Sequence, residues 1–211
     1  NAPTLCTRYT YKTLPALNQS PLNGFPTLES ETLLHLHNGS ETQLQSTLYS
    51  HIEDPDDPFL HGRVSRQTIT LNGKSTFSDH RYEDLVSPQL QVRVLQTTQT
   101  LSNDFDTTTK TTLQQHSLRT AQELLTLDEG VETHYRYDNM GRLTESVVAP
   151  GTAFEARRRY ESSLSTAFGE QIEHRIINAR NITARSVIDG LGRKVFEERD
   201  HVDPDNPSAT R

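Results

Sequence analysis

The stretch Tyr135-Arg136-Tyr137-Asp138-Asn139-Met140-Gly141-Arg142-Leu143 decides the fold. It reads as strand, Asp, two residues, Gly, Arg, strand. The same form returns in Ser186-Val187-Ile188-Asp189-Gly190-Leu191-Gly192-Arg193-Lys194. Between them lies a weaker copy, Ile176-Ile177-Asn178-Ala179-Arg180-Asn181-Ile182-Thr183, with Asn178 for the Asp and Asn181 for the Gly. Each copy predicts a tight reversal between two antiparallel strands.

The residue types carry the prediction. An Asp or Asn at a strand end accepts hydrogen bonds from nearby backbone N–H groups and closes an Asx-turn. Three positions later the chain needs positive φ, which Gly adopts without steric penalty and Asn tolerates next best. Gly141, Asn181 and Gly192 hold that place. Tyr135 and Tyr137 are two apart, so their rings share one sheet face. Arg142 and Arg193 begin the returning strands. They are expected to pair with acidic groups on neighbouring strands, at about 0.2–1 kcal/mol each.

Outward from the repeat, strand and turn signals continue. Asn38-Gly39 separates residues 33–37 from 43–50, and Asn72-Gly73 separates 63–71 from 74–82. Asn-Gly between alternating runs is the strongest short-range hairpin signal. Residues 89–101 and 107–115 read as strands joined by a turn at 102–106. Residues 119–127 make the best helical candidate, yet they are few and run into Asp128-Glu129-Gly130, so they read as a strand. Further strands are expected at 131–137, 142–148, 154–160, 171–177, 182–188 and 194–199. Short strands at intervals of about 8–12 residues predict an all-β chain, an antiparallel meander or ribbon. Residues 15–26 and 53–58 read as irregular loops. Residues 1–88 read as a β-rich N-terminal part of the ribbon, 89–202 as the repeat segment and 203–211 as a linker or tail. A chain running from Asn1 to Arg211 reads as a piece of something longer.

Composition sets bounds. The 211 residues are 32% hydrophobic, with a net charge of −7, one Cys, one Met and no Trp. Ordinary domains are about 45–50% apolar when Gly is counted. Thr, Val, Ile and Tyr spread through the chain argue for strands rather than disorder. Few apolar residues in a strand-rich chain fit a sheet wetted on at least one face. No run approaches the roughly 18 apolar residues of a membrane span, and the first residues show no signal-peptide pattern. The acidic balance argues against nucleic acid, which needs a basic footprint. A lone Cys6 excludes an intramolecular disulfide framework and a Cys-based zinc site.

Candidate sites are few. His35 and His37 share a face but lack an evident third metal ligand, so they read as strand-packing histidines. Asp54-Pro55-Asp56-Asp57 lacks the Gly and terminal Glu of a calcium loop and reads as a solvated acidic loop. Arg157-Arg158-Arg159 alternates faces in a strand and reads as a source of ion pairs within the sheet. Asn18, Asn38 and Asn181 fit the glycosylation sequon, a match that a Ser/Thr-rich chain produces by chance. Asp138 and Asp189 read as turn formers rather than a catalytic pair. No catalytic residue, metal or cofactor is assigned.

The repeated unit resembles the YD repeat of the RHS family. The matching residues are Tyr137-Asp138, Gly141-Arg142-Leu143, and Asp189 with Gly192-Arg193. Residues 89–202 look most like the RHS-repeat proteins of bacterial insecticidal toxin complexes. The runs Asn103-Asp104-Phe105-Asp106-Thr107-Thr108-Thr109-Lys110 and Val148-Ala149-Pro150-Gly151-Thr152 strengthen the likeness. The second unit departs from it, with Val187 and Ile188 at the tyrosine positions. The resemblance implies a β-ribbon that spirals into a hollow shell around a toxic C-terminal domain or guest polypeptide, in a secreted or extracellular bacterial assembly. Its partners would be further RHS repeats or a partner shell subunit, with self-association through sheet edges. The competing expectation is a carbohydrate- or cell-surface-binding β module built on its tyrosines.

Overall fold

A computed structural model describes residues 4–18 and 20–200. Among them are fourteen strands and one short 3-10 turn, Thr166–Phe168. The strands form one open antiparallel sheet in which each lies beside its neighbours in sequence, β1 to β14. The chain is all-β, as the spacing of turn signals predicts. It divides into two compact units between Leu113 and Gln114.

The first unit holds β1 (Thr4–Pro15), β2 (Gly24–His37), β3 (Ser40–His51), β4 (Val64–Leu71), β5 (Lys74–Val86), β6 (Arg93–Asn103) and the start of β7 (Lys110–Ser117). Both Asn-Gly pairs close two-residue turns, with φ of 50° and 77° at Asn38-Gly39 and 52° and 73° at Asn72-Gly73. Paired positive φ matches the right-handed twist of the flanking strands. Arg66 lies directly opposite Asp79 and pairs with it at 2.5 Å. Leu14, Leu34 and Val94 are the buried apolar residues of this unit.

The region expected as a loop at 15–26 is shorter. β2 begins at Gly24 and carries Pro26 within it, opposite Thr13. Phe25 meets the His61 ring edge-on at 5.6 Å, which anchors the strand before its proline. The acidic loop is a loop. Asp57 Oδ1 accepts from the N–H groups of Phe59 and Leu60 at 2.8 and 3.0 Å, and Glu53 pairs with Lys12.

The second unit holds the rest of β7, then β8 (Glu123–Asp128), β9 (Val131–Tyr137), β10 (Leu143–Val148), β11 (Ala156–Ser165), β12 (Gln171–Ile177), β13 (Thr183–Ile188) and β14 (Lys194–Arg199). Two strands start later than their sequence suggests. β8 starts at Glu123 because Ser117 Oγ accepts from Arg119 and Thr120 N–H and bends the chain first. β11 starts at Ala156, leaving Phe154 in the preceding turn, 85% exposed.

Register sorts this unit into two faces. One carries the row Leu125, His134, Val147 and the row Ser163, Glu173, Val187, Phe196. Leu125, Val147, Glu173 and Val187 on it are all buried. The other face carries Tyr135, Ser146 and Arg158 in one row and Tyr160, Ile176, Ala184 and Arg199 in another. Leu164, Ile172 and Ile176 on that face are 64%, 48% and 41% exposed. One wet face explains how so few apolar residues suffice. The predicted tail at 203–211, with residues 201–202, lies outside the described residues.

Candidate functional site

The three sequence copies adopt one turn. Asp138 Oδ1 accepts from the N–H groups of Met140 and Arg142, both at 2.9 Å. Asp189 Oδ1 accepts from Leu191 and Arg193 N–H, again at 2.9 Å. Asn178 Oδ1 accepts from Arg180 and Ile182 N–H at 2.9 and 3.0 Å. In each copy the fourth residue returns its N–H to the first carbonyl: Gly141 to Asp138, Gly192 to Asp189, Asn181 to Asn178. Those residues have φ of 82°, 78° and 58°. The backbone of the first residue also donates to the carbonyl of the fifth, which starts the returning strand.

The arginines behave differently from expectation. Arg142 and Arg193 do not reach acidic groups on neighbouring strands. Each folds back on its own turn, Nε to Asp138 Oδ2 at 2.7 Å and to Asp189 Oδ2 at 2.8 Å, with a second guanidinium contact at 2.7 Å. Both guanidinium nitrogens meet the one oxygen Oδ2 and leave Oδ1 to the turn N–H groups, in charge-assisted bonds stronger than neutral ones. The Arg142 backbone N–H, then its side chain, hold the Asp138 carboxyl below the usual carboxylate range. Arg193 does the same for Asp189 through the same two groups. Both carboxylates spend their acceptor sites inside their own turns. The Asn178 copy has Ile182 at the arginine position, so only its Oδ1 bonds remain.

Topology separates the copies. Alternate connections of a meander lie at the same edge of its sheet. The Asp138 turn joins β9 to β10 and the Asp189 turn joins β13 to β14, so the two complete copies share an edge. The Asn178 turn joins β12 to β13 and lies at the opposite edge. Tyr135 and Tyr137 share a face and are half-buried. Desolvation, with Glu123 and Tyr135 adding to it, raises the Tyr137 phenol. His35 and His37 stack face to face at 6.0 Å.

Two arrangements have no counterpart in the sequence reading. Turns led by Ser87 and Ser117 donate the Ser N–H to a carbonyl five residues on, Val92 and Gln122, and put Gln91 and Ala121 at φ of 56° and 57°. The only local signal of these two turns is a serine at a strand end, in a chain rich in serine. A related turn, in which the Ser165 carbonyl accepts from Glu170 N–H with Glu170 at φ 61°, falls where Phe168-Gly169-Glu170 marks a turn in the sequence. The second arrangement centres on Glu173, 2% exposed. Its Oε2 meets Arg185 at 2.8 Å and its Oε1 meets Arg175 at 2.5 Å. The Arg185 hydrogen bond is the main cause that draws the Glu173 carboxyl down to about 2, against the opposing effect of burial. The Arg185 guanidinium also lies over Phe168 and Phe196, 5.7 and 5.4 Å from the ring centres.

The fold and its turns define an open antiparallel β-meander with recurrent Asx-turns at its edges. No protein-family model matches the chain, and the search of curated proteins finds no match.

Proposed function

We propose that the chain is a structural segment of an RHS-repeat shell, a wall that encloses a toxic C-terminal domain or guest polypeptide in a secreted bacterial toxin. The observation that carries this reading is the Asp-x-x-Gly-Arg turn, repeated at one sheet edge with the same hydrogen bonds. Such a turn uses its ionisable groups to hold geometry. A ribbon of short strands with satisfied turns extends strand by strand, because each new strand pairs only with the last. A wall of this kind works by containment, and its partners are further repeats of the same ribbon and the enclosed domain.

Protease digestion of the full parent protein tests the proposal. The domain encoded after the repeats should survive trypsin in the parent and be cut rapidly when expressed alone. Equal rates of digestion would remove the containment role.

The second reading is a carbohydrate- or cell-surface-binding module. Tyr9 and Tyr11 favour it, since they share a face of β1 and are 51% and 65% exposed. A glycan array probed with the chain and with Tyr9→Ala and Tyr11→Ala separates the readings. Glycan binding lost in both variants would favour the module.

A further inference from the structure

The ion pairs of this protein leave a conspicuous remainder. Arg8, Arg66, Arg81, Arg93, Arg136, Arg142, Arg157, Arg175, Arg185 and Arg193 all meet carboxylates. Arg63, Arg119, Arg158, Arg159, Arg180 and Arg199 meet none among the described residues. Three of these, Arg158, Arg180 and Arg199, line one groove of the second unit, about 430 Å³ in volume. The sequence separates them widely, in a strand, a turn and a distant strand. Register places Arg158 beside Ser146 on the wet face of β11, and Arg199 beside Ala184 on the same face. Arg180 comes from the Asn178 turn at that edge.

Nearby carboxylates are engaged elsewhere. Glu145 and Glu155 hold Arg157 at 2.8 and 3.1 Å. Glu198 faces Arg185 from the opposite sheet face at 3.7 Å. Asp200 accepts from Thr183 N–H at 3.3 Å. The remaining wall is mixed, with Asn178, the already paired Arg157 and the Ser146 hydroxyl among Val148, Ala156, Ala179 and Ile182.

We propose that this groove binds a small ligand carrying a phosphate or sulfate group. Guanidinium groups present planar, fixed donors that match such oxyanions, and three that no carboxylate pairs among the described residues line this one groove. The groove's volume suits one small molecule. The chain's net charge of −7 opposes a long polyanion while leaving a local positive site intact. The inference stands on the second unit alone and does not depend on the containment role.

Isothermal titration of the whole chain at low salt with glucose 6-phosphate, glucose 6-sulfate, inorganic phosphate and glucose tests it. Saturable binding of at least one oxyanion probe is expected, with glucose inert. The phosphate and sulfate arms decide which group the site prefers. Arg158→Gln, Arg180→Gln and Arg199→Gln should each weaken binding about tenfold, as loss of a charged hydrogen bond does. Arg119→Gln, which removes an equal charge from a turn outside the groove, should leave it unchanged. Circular dichroism of each variant confirms that the sheet is intact. The proposal fails if no oxyanion saturates below about 10 mM, if Arg119→Gln weakens binding as much as the groove variants do, or if glucose binds as tightly. Tighter binding of a tri-aspartate peptide than of any oxyanion probe would also overturn it, in favour of an acidic polypeptide partner.

Discussion

Gln122 Nε2 donates to the carbonyl oxygen of Gly141 at 3.0 Å. The bond ties the Ser117 turn to the Asp138 turn along one sheet edge, across the two strands between them. It also makes Gly141 unlike Gly192. A Cβ added at Gly141 would stand 3.0 Å from that same amide nitrogen, whereas one at Gly192 meets nothing within 4 Å.

Gly141→Val should therefore destabilise more than Gly192→Val. Both pay the strain of a β-branched residue at positive φ, about 1–3 kcal/mol. Gly141→Val also displaces Gln122, adding about 0.5–1.5 kcal/mol for its hydrogen bond. Urea unfolding measures both, and equal losses would show that the Gln122 bond contributes nothing.

Asp138 has two jobs that substitution can separate. Asp138→Asn keeps an Oδ1 for the two turn N–H groups, as Asn178 does naturally, and gives up the Arg142 pair. Asp138→Ala gives up both. The urea midpoint of the Asn variant should fall between wild type and Ala, nearer wild type, because exposed ion pairs stabilise little. An Asn variant as unstable as Ala would place the turn's strength in the arginine instead.

Acid should unfold the second unit partly through Glu173. Its carboxyl titrates at about 2 in the folded chain instead of 4.5. A lowered folded value means that the ionised form stabilises the fold at and above pH 4.5, and that this contribution fades as pH falls from about 4.5 through about 2. Glu173→Gln should lower stability at pH 7 by about 2 kcal/mol through lost charged hydrogen bonds. The variant should also show a shallower fall in urea midpoint between pH 5 and 2 than wild type, to which other lowered carboxyls such as Asp138 and Asp189 still contribute. Parallel pH curves for the two proteins would exclude Glu173 as an acid-sensitive group.

Edges should make the isolated chain associate. β1 and β14 end the strand order, and each pairs on one side only among the described residues. Unpaired edges template further pairing, and charged side chains suppress it. Sedimentation should show a weight-average mass that rises with concentration. Leu5→Lys with Tyr9→Lys, both exposed on β1, should lower that mass. A concentration-independent monomer would show that the edges are already protected.

What could be read in advance followed from distance along the chain. The Asx-turns close over five residues, so Asp138, Gly141, Asp189 and Gly192 carry their own geometry in their spacing. Asn38-Gly39 and Asn72-Gly73 do likewise. The Ser87 and Ser117 turns are not legible in the sequence, because Gln91 and Ala121 adopt positive φ without being residues that prefer it. Strand starts at Glu123 and Ala156 were set by side-chain hydrogen bonds in the preceding turns, which propensity does not register.

By itself the sequence determined an all-β meander and the place of its repeated turns, since alternation and turn chemistry are short-range properties. The Arg142 and Arg193 pairs are short-range too, each closing on a carboxylate four residues back in its own turn. Tertiary structure decided which distant charges meet. It buried Glu173 between Arg175 and Arg185. It also brought Arg158, Arg180 and Arg199 into one groove, since register and strand order fix which distant side chains share a face.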